Sequence, residues 1–176
     1  GSVVESQFDL IQISMPIMKA LNQKVNETIS LNVVVENQRQ CVSKIDSTHE
    51  VRDFIVMNKL LVIHRGASGK ALLAFLEESK QKQVFESIKE ENFDLDRLKA
   101  QLDEIRKCGY AISSGDRVSG ATSIAAPIFG RSGKLVASLS LSGASIRFTE
   151  EKIPEYIRLV LESTMQISEI LGYSRD

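Results

Sequence analysis

Serine recurs at every second position near the end of one short segment: Ser138, Ser140 and Ser142 alternate, with Val136, against Leu135, Ala137, Leu139 and Leu141. A period of two is that of a β-strand, so one face of this strand carries hydroxyls and the other aliphatic side chains. The run 109–129 just before it adds Ser113 and Ser123, which bring further hydroxyls into the same half of the sheet. A face of serine and alanine cannot fill a core alone. It predicts either a helix packed very close or a space lined with hydroxyl donors, suited to a small polar ligand. Buried hydroxyls left without partners cost ~1–3 kcal/mol each, which tips the reading towards a ligand or ordered water.

A second candidate is Gly66-Ala67-Ser68-Gly69-Lys70 at the opening of an apolar helical run. It is not a phosphate-binding P-loop, which needs four residues between its glycines and a Ser or Thr after the lysine; here two intervene and Ala71 follows. It is not a nucleophile elbow either, because Lys70 stands where the closing glycine belongs. Free N–H groups at a helix start, widened by small residues, would make an anion site; glycines that simply allow tight packing are the plainer alternative. His49 and His64 are the only histidines. Neither has a second ligand at metal spacing, and His64, beside an apolar run, reads as a packed or hydrogen-bonded structural residue. The carboxylates Glu77, Glu78, Glu90 and Glu91 fit a solvated face.

The elements that must position these groups follow from periodicity. Phe8, Ile11, Met15, Met18, Leu21 and Val25 form a helical stripe, with Pro16 expected to kink or split it. From Thr28 the period becomes two, with Ile29, Leu31, Val33 and Val35 facing one way and Ser30, Asn32 and Val34 the other. Glu36-Asn37-Gln38 is a turn, residues 39–46 return as a hairpin, and a third strand is expected over 51–57. Helices follow from Gly66, over about 79–88, and over 94–107, the last capped by Asp94 or Asn92 with a stripe of Leu95, Leu98, Leu102 and Ile105. Three more strands come next, with a hairpin turn at 131–134. A long closing helix carries Ile153, Ile157, Val160, Leu161, Thr164, Ile167 and Leu171 and stops at Gly172, with Pro154 acceptable only in its first turn. Helix, three strands, helices, three strands, helix predicts an α+β domain with a mainly antiparallel six-stranded sheet flanked by helices.

Composition bounds the rest. At 176 residues with 43% hydrophobic content the chain fits one domain able to bury its own core. A formal net charge of −1 gives no electrostatic reason to expect nucleic-acid binding by this piece. Cys41 and Cys108 lack any CxxC or Cys/His setting and read as reduced, intracellular thiols, hence a cytoplasmic protein. No run of 18 apolar residues argues for a membrane span. Gly1-Ser2 resembles the scar of a removed tag, with residues 3–176 a single domain expected to come from a longer chain.

Taken in order, these segments resemble the C-terminal effector-binding domain of the IclR family of bacterial transcription regulators, over nearly the whole chain. The resemblance rests on Gly66 to Ala74 (GASGKALLA), the lead-in Ile105 to Ala111, Gly120 through Pro127, the strand end Ser140-Leu141-Ser142-Gly143 and the final helix with Leu171-Gly172. It implies a GAF-like (profilin-like) domain that binds a small organic acid, uses no cofactor, metal or catalytic residue, and biases a DNA-bound dimer or tetramer. By the same resemblance Ala67 and Ser68 offer backbone N–H groups, Ser123, Ser140 and Ser142 offer hydroxyls, and Asp53 and Leu61 wall the loop side. Ser113 falls where some relatives carry an acidic residue that touches the ligand. Asp53 stands where relatives often have an apolar one, to repel a carboxylate or receive a hydroxyl or amine. The family's DNA reader is an N-terminal winged helix-turn-helix, which nothing in this chain matches. DNA is therefore expected as a partner only of the parent protein. A structural dimerisation module with a vestigial pocket, or a small enzyme using the same pocket, are the competing readings.

Overall fold

The computed structural model describes residues 6–175; the expectation for Gly1-Ser2 lies outside them. Helix α1 (Gln7–Val25) begins where Ser6 Oγ accepts a hydrogen bond from the Asp9 N–H and ends at Asn26 in the left-handed region. It is continuous through Pro16, contrary to the expected break. Pro16 is exposed, and so is Gln12, whose carbonyl the proline leaves unpaired in the helix ladder, so water can serve it. The buried stripe is also rotated from the predicted one: Leu10, Ser14, Ile17, Met18 and Leu21 face inward, while Phe8 is 67% exposed.

Strands β1 (Thr28–Val35) and β2 (Gln38–Ile45) form the expected hairpin, turned by Glu36 and Asn37, both at positive φ. Residues 51–57 are not a strand. The chain leaves the sheet at Ile45 and arches away, so Val51, Phe54 and Val56 remain exposed instead of joining a ladder. It returns only as the two-residue strand β3 (Leu60–Leu61) on β2. Helices α2 (Gly66–Leu73), α3 (Glu78–Ser87) and α4 (Leu95–Cys108) follow; Asp94 Oδ1 caps α4 by accepting from the Arg97 N–H. Strands β4 (Ala111–Ser114), β5 (Ala121–Phe129) and β6 (Leu135–Ala144) and helix α5 (Lys152–Ile170) complete the domain.

The six strands lie in the order β3-β2-β1-β6-β5-β4 with every neighbouring pair antiparallel, an α+β architecture as expected. One face packs Ile29, Leu31, Ile128, Leu139 and Leu141 against α1 and α5. On the other, α2 lies on Ala111 and Ala125, with Leu98, Leu102 and Ile105 of α4 outside it. The alternation of β6 holds from Ala137 onward but fails at its start. A register shift between Ile128 and Phe129 on β5 puts Leu135 in the second cluster and Val136 against the first. Val33 packs on the α1/α5 core as well.

Candidate functional site

The strand register, more than any local motif, assembles the site. Ser113 of β4 pairs with Ser123 of β5, Ser123 with Ser142 of β6, and Ser142 with Thr28 of β1: one row of hydroxyl residues across four strands. The next row sets Ser140 opposite Ser30. Helix α2 crosses the adjoining part of this face at close range. Gly69 lets the segment entering the helix and the Arg39 side chain of β2 lie tight against it, since a Cβ there would sit 2.3 Å from the Ile63 carbonyl oxygen and 3.1 Å from Arg39 Cδ. Ser138 is consumed by this contact, its hydroxyl donating to the Ser68 carbonyl at 3.1 Å. Beyond the start of α2 the sheet is uncovered and a cavity of about 210 Å³ opens, with Ser140, Ser142 and Ser123 as its floor.

Of the eight residues singled out from the sequence, Asp53, Leu61, Ala67, Ser68, Ser123, Ser140 and Ser142 line this one cavity. Ser113 does not. It faces a larger, more open hollow between α2, α4 and β4, and touches the first site only through its hydroxyl, 3.3 Å from Ser123 Oγ. Ser140 and Ser142 are each 1% exposed, and neither Oγ has a hydrogen-bond partner among the described residues. Asn32, also at the cavity, instead spends its amide on Ser30 Oγ at 3.2 Å.

The first-turn N–H groups of a helix lack intrahelical partners, and Ala67 and Ser68 carry two of them beside the cavity. The N–H of Gly66 is already taken: Asp116 Oδ2 accepts it at 2.8 Å and also receives Lys70 Nζ at 2.7 Å. Burial alone would raise the Asp116 carboxyl. The bonds from Lys70 and Gly66 and the charges of Lys70 and Arg65 outweigh that and hold it below its ordinary value. The helix start is thus partly capped from within, so the remaining amides form a smaller anion site than the sequence implied.

Sequence reasoning missed the cations. Arg39 is only 6% exposed, lines the cavity, and makes one side-chain hydrogen bond among the described residues, from Nε to the Val62 carbonyl at 3.2 Å. Burial pushes its guanidinium down to about 10, with the neighbouring charge of Arg117 the next cause. Arg117, from the loop joining β4 to β5, donates to Asp53 Oδ2 across the cavity mouth, and Lys59 adds a third cation. Asp53 is therefore neutralised by a partner and does not stand as a bare repelling charge. Arg39 was legible in principle, as a charged residue on the small-residue face of β2. Arg117 was not, since it reaches the site from a turn.

The larger hollow has a different character. Its charges are mixed and cross-paired: His64 Nε2 lies 2.8 Å from Glu90 Oε1, and Lys70 meets Asp116. The His64 contact and the Arg65 charge help hold the Glu90 carboxyl below its usual value. His64 packs edge-on against Phe93, a structural placement. Among the described residues no group of three or more His, Cys, Asp or Glu side chains could hold a metal ion, and no helix is long and apolar enough to cross a membrane.

The chain is similar in sequence and shape to transcriptional regulators. The HTH-type transcriptional regulator KdgR of Escherichia coli is 30% identical over 98% of the chain, and the HTH-type transcriptional repressor AllR of Klebsiella pneumoniae 29% over 98%. The chain spans 68% and 65% of their respective lengths. Among solved structures, the Thermotoga maritima IclR superposes with a TM-score of 0.87 at 29% identity, over 95% of this chain and 70% of that one. The C-terminal domain of E. coli KdgR gives 0.82 at 29%, over 93% and 99%. The family model described as "Bacterial transcriptional regulator IclR C-terminal" matches residues 2–169. With the fold, the register and these matches in agreement, the chain belongs to the IclR family of bacterial transcriptional regulators, as their C-terminal, effector-binding domain.

Proposed function

We propose that this domain is the sensor half of a cytoplasmic regulator. It takes a small organic-acid effector into the cavity at Ser140 and Ser142 and thereby biases the DNA binding of an oligomeric parent protein. One observation carries the reading: two buried hydroxyls without a hydrogen-bond partner among the described residues form the floor of a cavity lined also by Arg39, Lys59 and Arg117. Oriented donors beside positive charge favour an anion, and hydrogen bonds to a charged group contribute ~1.5–3 kcal/mol. The effector's carboxylate lies at the Ala67-Ser68 amides and its other oxygens near Ser123, Ser140 and Ser142. The site supplies binding without a nucleophile, base or cofactor. Self-association as a homodimer or homotetramer, and operator reading by a winged helix-turn-helix outside this chain, complete the proposal.

A thermal-shift screen over 2-oxo acids, hydroxy acids, sugar acids and aromatic acids tests it. The expected result is a melting-temperature rise without turnover of the acid. Turnover would make the domain an enzyme, and no rise with any acid would leave a dimerisation module. Fluorescence anisotropy with duplex fragments at low salt should show no sub-micromolar binding, given the net charge of −1.

A further inference from the structure

The charge inside the cavity exceeds what one carboxylate can balance. Arg39 and Arg117 face it, exposed Lys59 lies at its rim, and Asp53 is the only acidic lining residue among the described ones, three positive charges against one negative, or two in excess. Asp53 itself shows how a carboxylate engages this site: it is a buried side-chain carboxylate, from the loop that roofs the cavity, held by Arg117. Arg39 stands beside it with its two terminal nitrogens unused by any described residue. Its guanidinium, pushed down to about 10 by burial and by Arg117, sits where a further anion would offset the positive charge beside it. A cavity of about 210 Å³ has room for a small acid of a few carbons.

Resting on the proposed effector site, we propose that its ligand is a short dicarboxylate. One carboxylate lies at the Ala67-Ser68 amides with oxygens near Ser140 and Ser142, and the second engages Arg39 and takes Arg117 from Asp53. Asp53 is then the intramolecular stand-in for that second carboxylate. The site selects by charge count: a monocarboxylate fills the serine end and leaves the Asp53–Arg117 pair in place, whereas a dicarboxylate exchanges with it.

The test measures affinity by calorimetry for carbon-matched pairs: succinate and butyrate, malate and 2-hydroxybutyrate, 2-oxoglutarate and 2-oxovalerate. At least one dicarboxylate should bind about tenfold or more tighter than its monocarboxylate, a difference of about 1.4 kcal/mol. Asp53→Asn, which removes the competing carboxylate, should tighten the dicarboxylate and leave the monocarboxylate nearly unchanged. The double variant Asp53→Asn/Arg117→Gln, which removes both members of the ion pair together, should abolish the preference while keeping the parent's melting temperature within a few degrees. Arg39→Lys, which keeps the charge but not the planar fork, should lower the preference severalfold. Equal binding within each pair, weakened by Ser140→Ala, overturns the dicarboxylate and leaves the effector site standing. A preference that survives in the double variant overturns the role of Arg117. No binding by any of the six acids at millimolar concentration overturns the inference, and only failure across the wider acid screen removes the site as well.

Discussion

Replacing Ser140 by alanine should stabilise the free domain and weaken its ligand, two effects of opposite sign from one hydroxyl. Ser140 Oγ is buried with no described partner, so the free fold carries a desolvated hydroxyl at ~1–3 kcal/mol. Alanine keeps the Cβ and removes that cost. For a domain of 176 residues each kcal/mol moves the melting temperature by about 2–4 °C, so Ser140→Ala should melt higher by roughly that amount or more. In the complex the same hydroxyl donates to an anion, and its loss should weaken binding about tenfold or more. Ser138→Ala, two residues back on the same face, should do the reverse in the free state. Its hydroxyl serves the Ser68 carbonyl at 3.1 Å, and losing that bond should lower stability by ~0.5–1.5 kcal/mol. Ser132→Ala, in the exposed β5–β6 turn, is the binding control. Calorimetric melting of the three variants, with and without a screened acid, reads all these terms. If Ser140→Ala melts lower than the parent, or binds the acid as well as the parent does, the hydroxyl is held by the protein and the floor assignment fails.

Three other outcomes follow from contacts elsewhere. Glu27, 1% exposed, is held by two hydrogen bonds from Arg147, and a Cβ on Gly143 would lie 2.3 Å from Glu27 Oε1; Gly143→Ala should therefore split a buried ion pair at a cost on the order of 3 kcal/mol, and a denaturant midpoint matching the parent's would refute this. The Asp116 carboxyl is held below its unfolded value, so its contribution is complete above the ordinary carboxylate range of about 4 and is lost as the pH falls through the lower folded value. Asp116→Asn should accordingly be less stable than the parent at neutral pH and converge with it in acid, as urea midpoints at the two pH values would show; parallel curves would sink the assignment. Burial pushes the Cys41 thiol up, only partly opposed by a backbone hydrogen bond at Ser43 and the charge of Lys44, whereas Cys108 is exposed, so a thiol reagent should modify one cysteine in the native domain and the second only on unfolding.

What the chain disclosed in advance was whatever is written in a repeating spacing. The serines of β6 and the aliphatic residues behind them differ by one position, so the two faces were legible, and hairpin-length turns implied the antiparallel ladder. Asp94 and Gly172 marked helix ends because their chemistry at those positions is local. Helix α1 misled because Ile11 and Ile13 flank the buried stripe, so more than one set of apolar residues satisfies a three-and-four spacing. Leu135 misled because one inserted residue inverts every side chain beyond it, and no residue type announces a bulge. The loop before β3 misled because its apolar residues suggest a strand that has no neighbour to pair with. The Arg117–Asp53 pair was beyond reach for a further reason: it joins two loops 64 residues apart in sequence, with no local spacing to mark it.

Those two loops also give binding a route to the surface. The β4–β5 turn is fixed on one side by Asp116, bonded to Gly66, Lys70 and Arg65 at the start of α2, and on the other by Arg117, bonded to Asp53. The roofing loop has a second anchor, the Val51 carbonyl, which accepts from Arg147, itself locked to Glu27. A ligand shifts an equilibrium only by its differential affinity for the two states. One that fills the serine floor without touching Arg117 meets the same contacts with the loop bound or released, and so gains nothing from moving it. A ligand that takes Arg117 leaves Asp53 buried and uncompensated, a condition costly enough to drive the loop off its seat while the Arg147 anchor keeps its far end in place. The displaced segment carries Phe54 and Val56, already exposed. On this account it is the second carboxylate, and not occupancy of the cavity as such, that would alter the surface the domain presents to the rest of its parent protein.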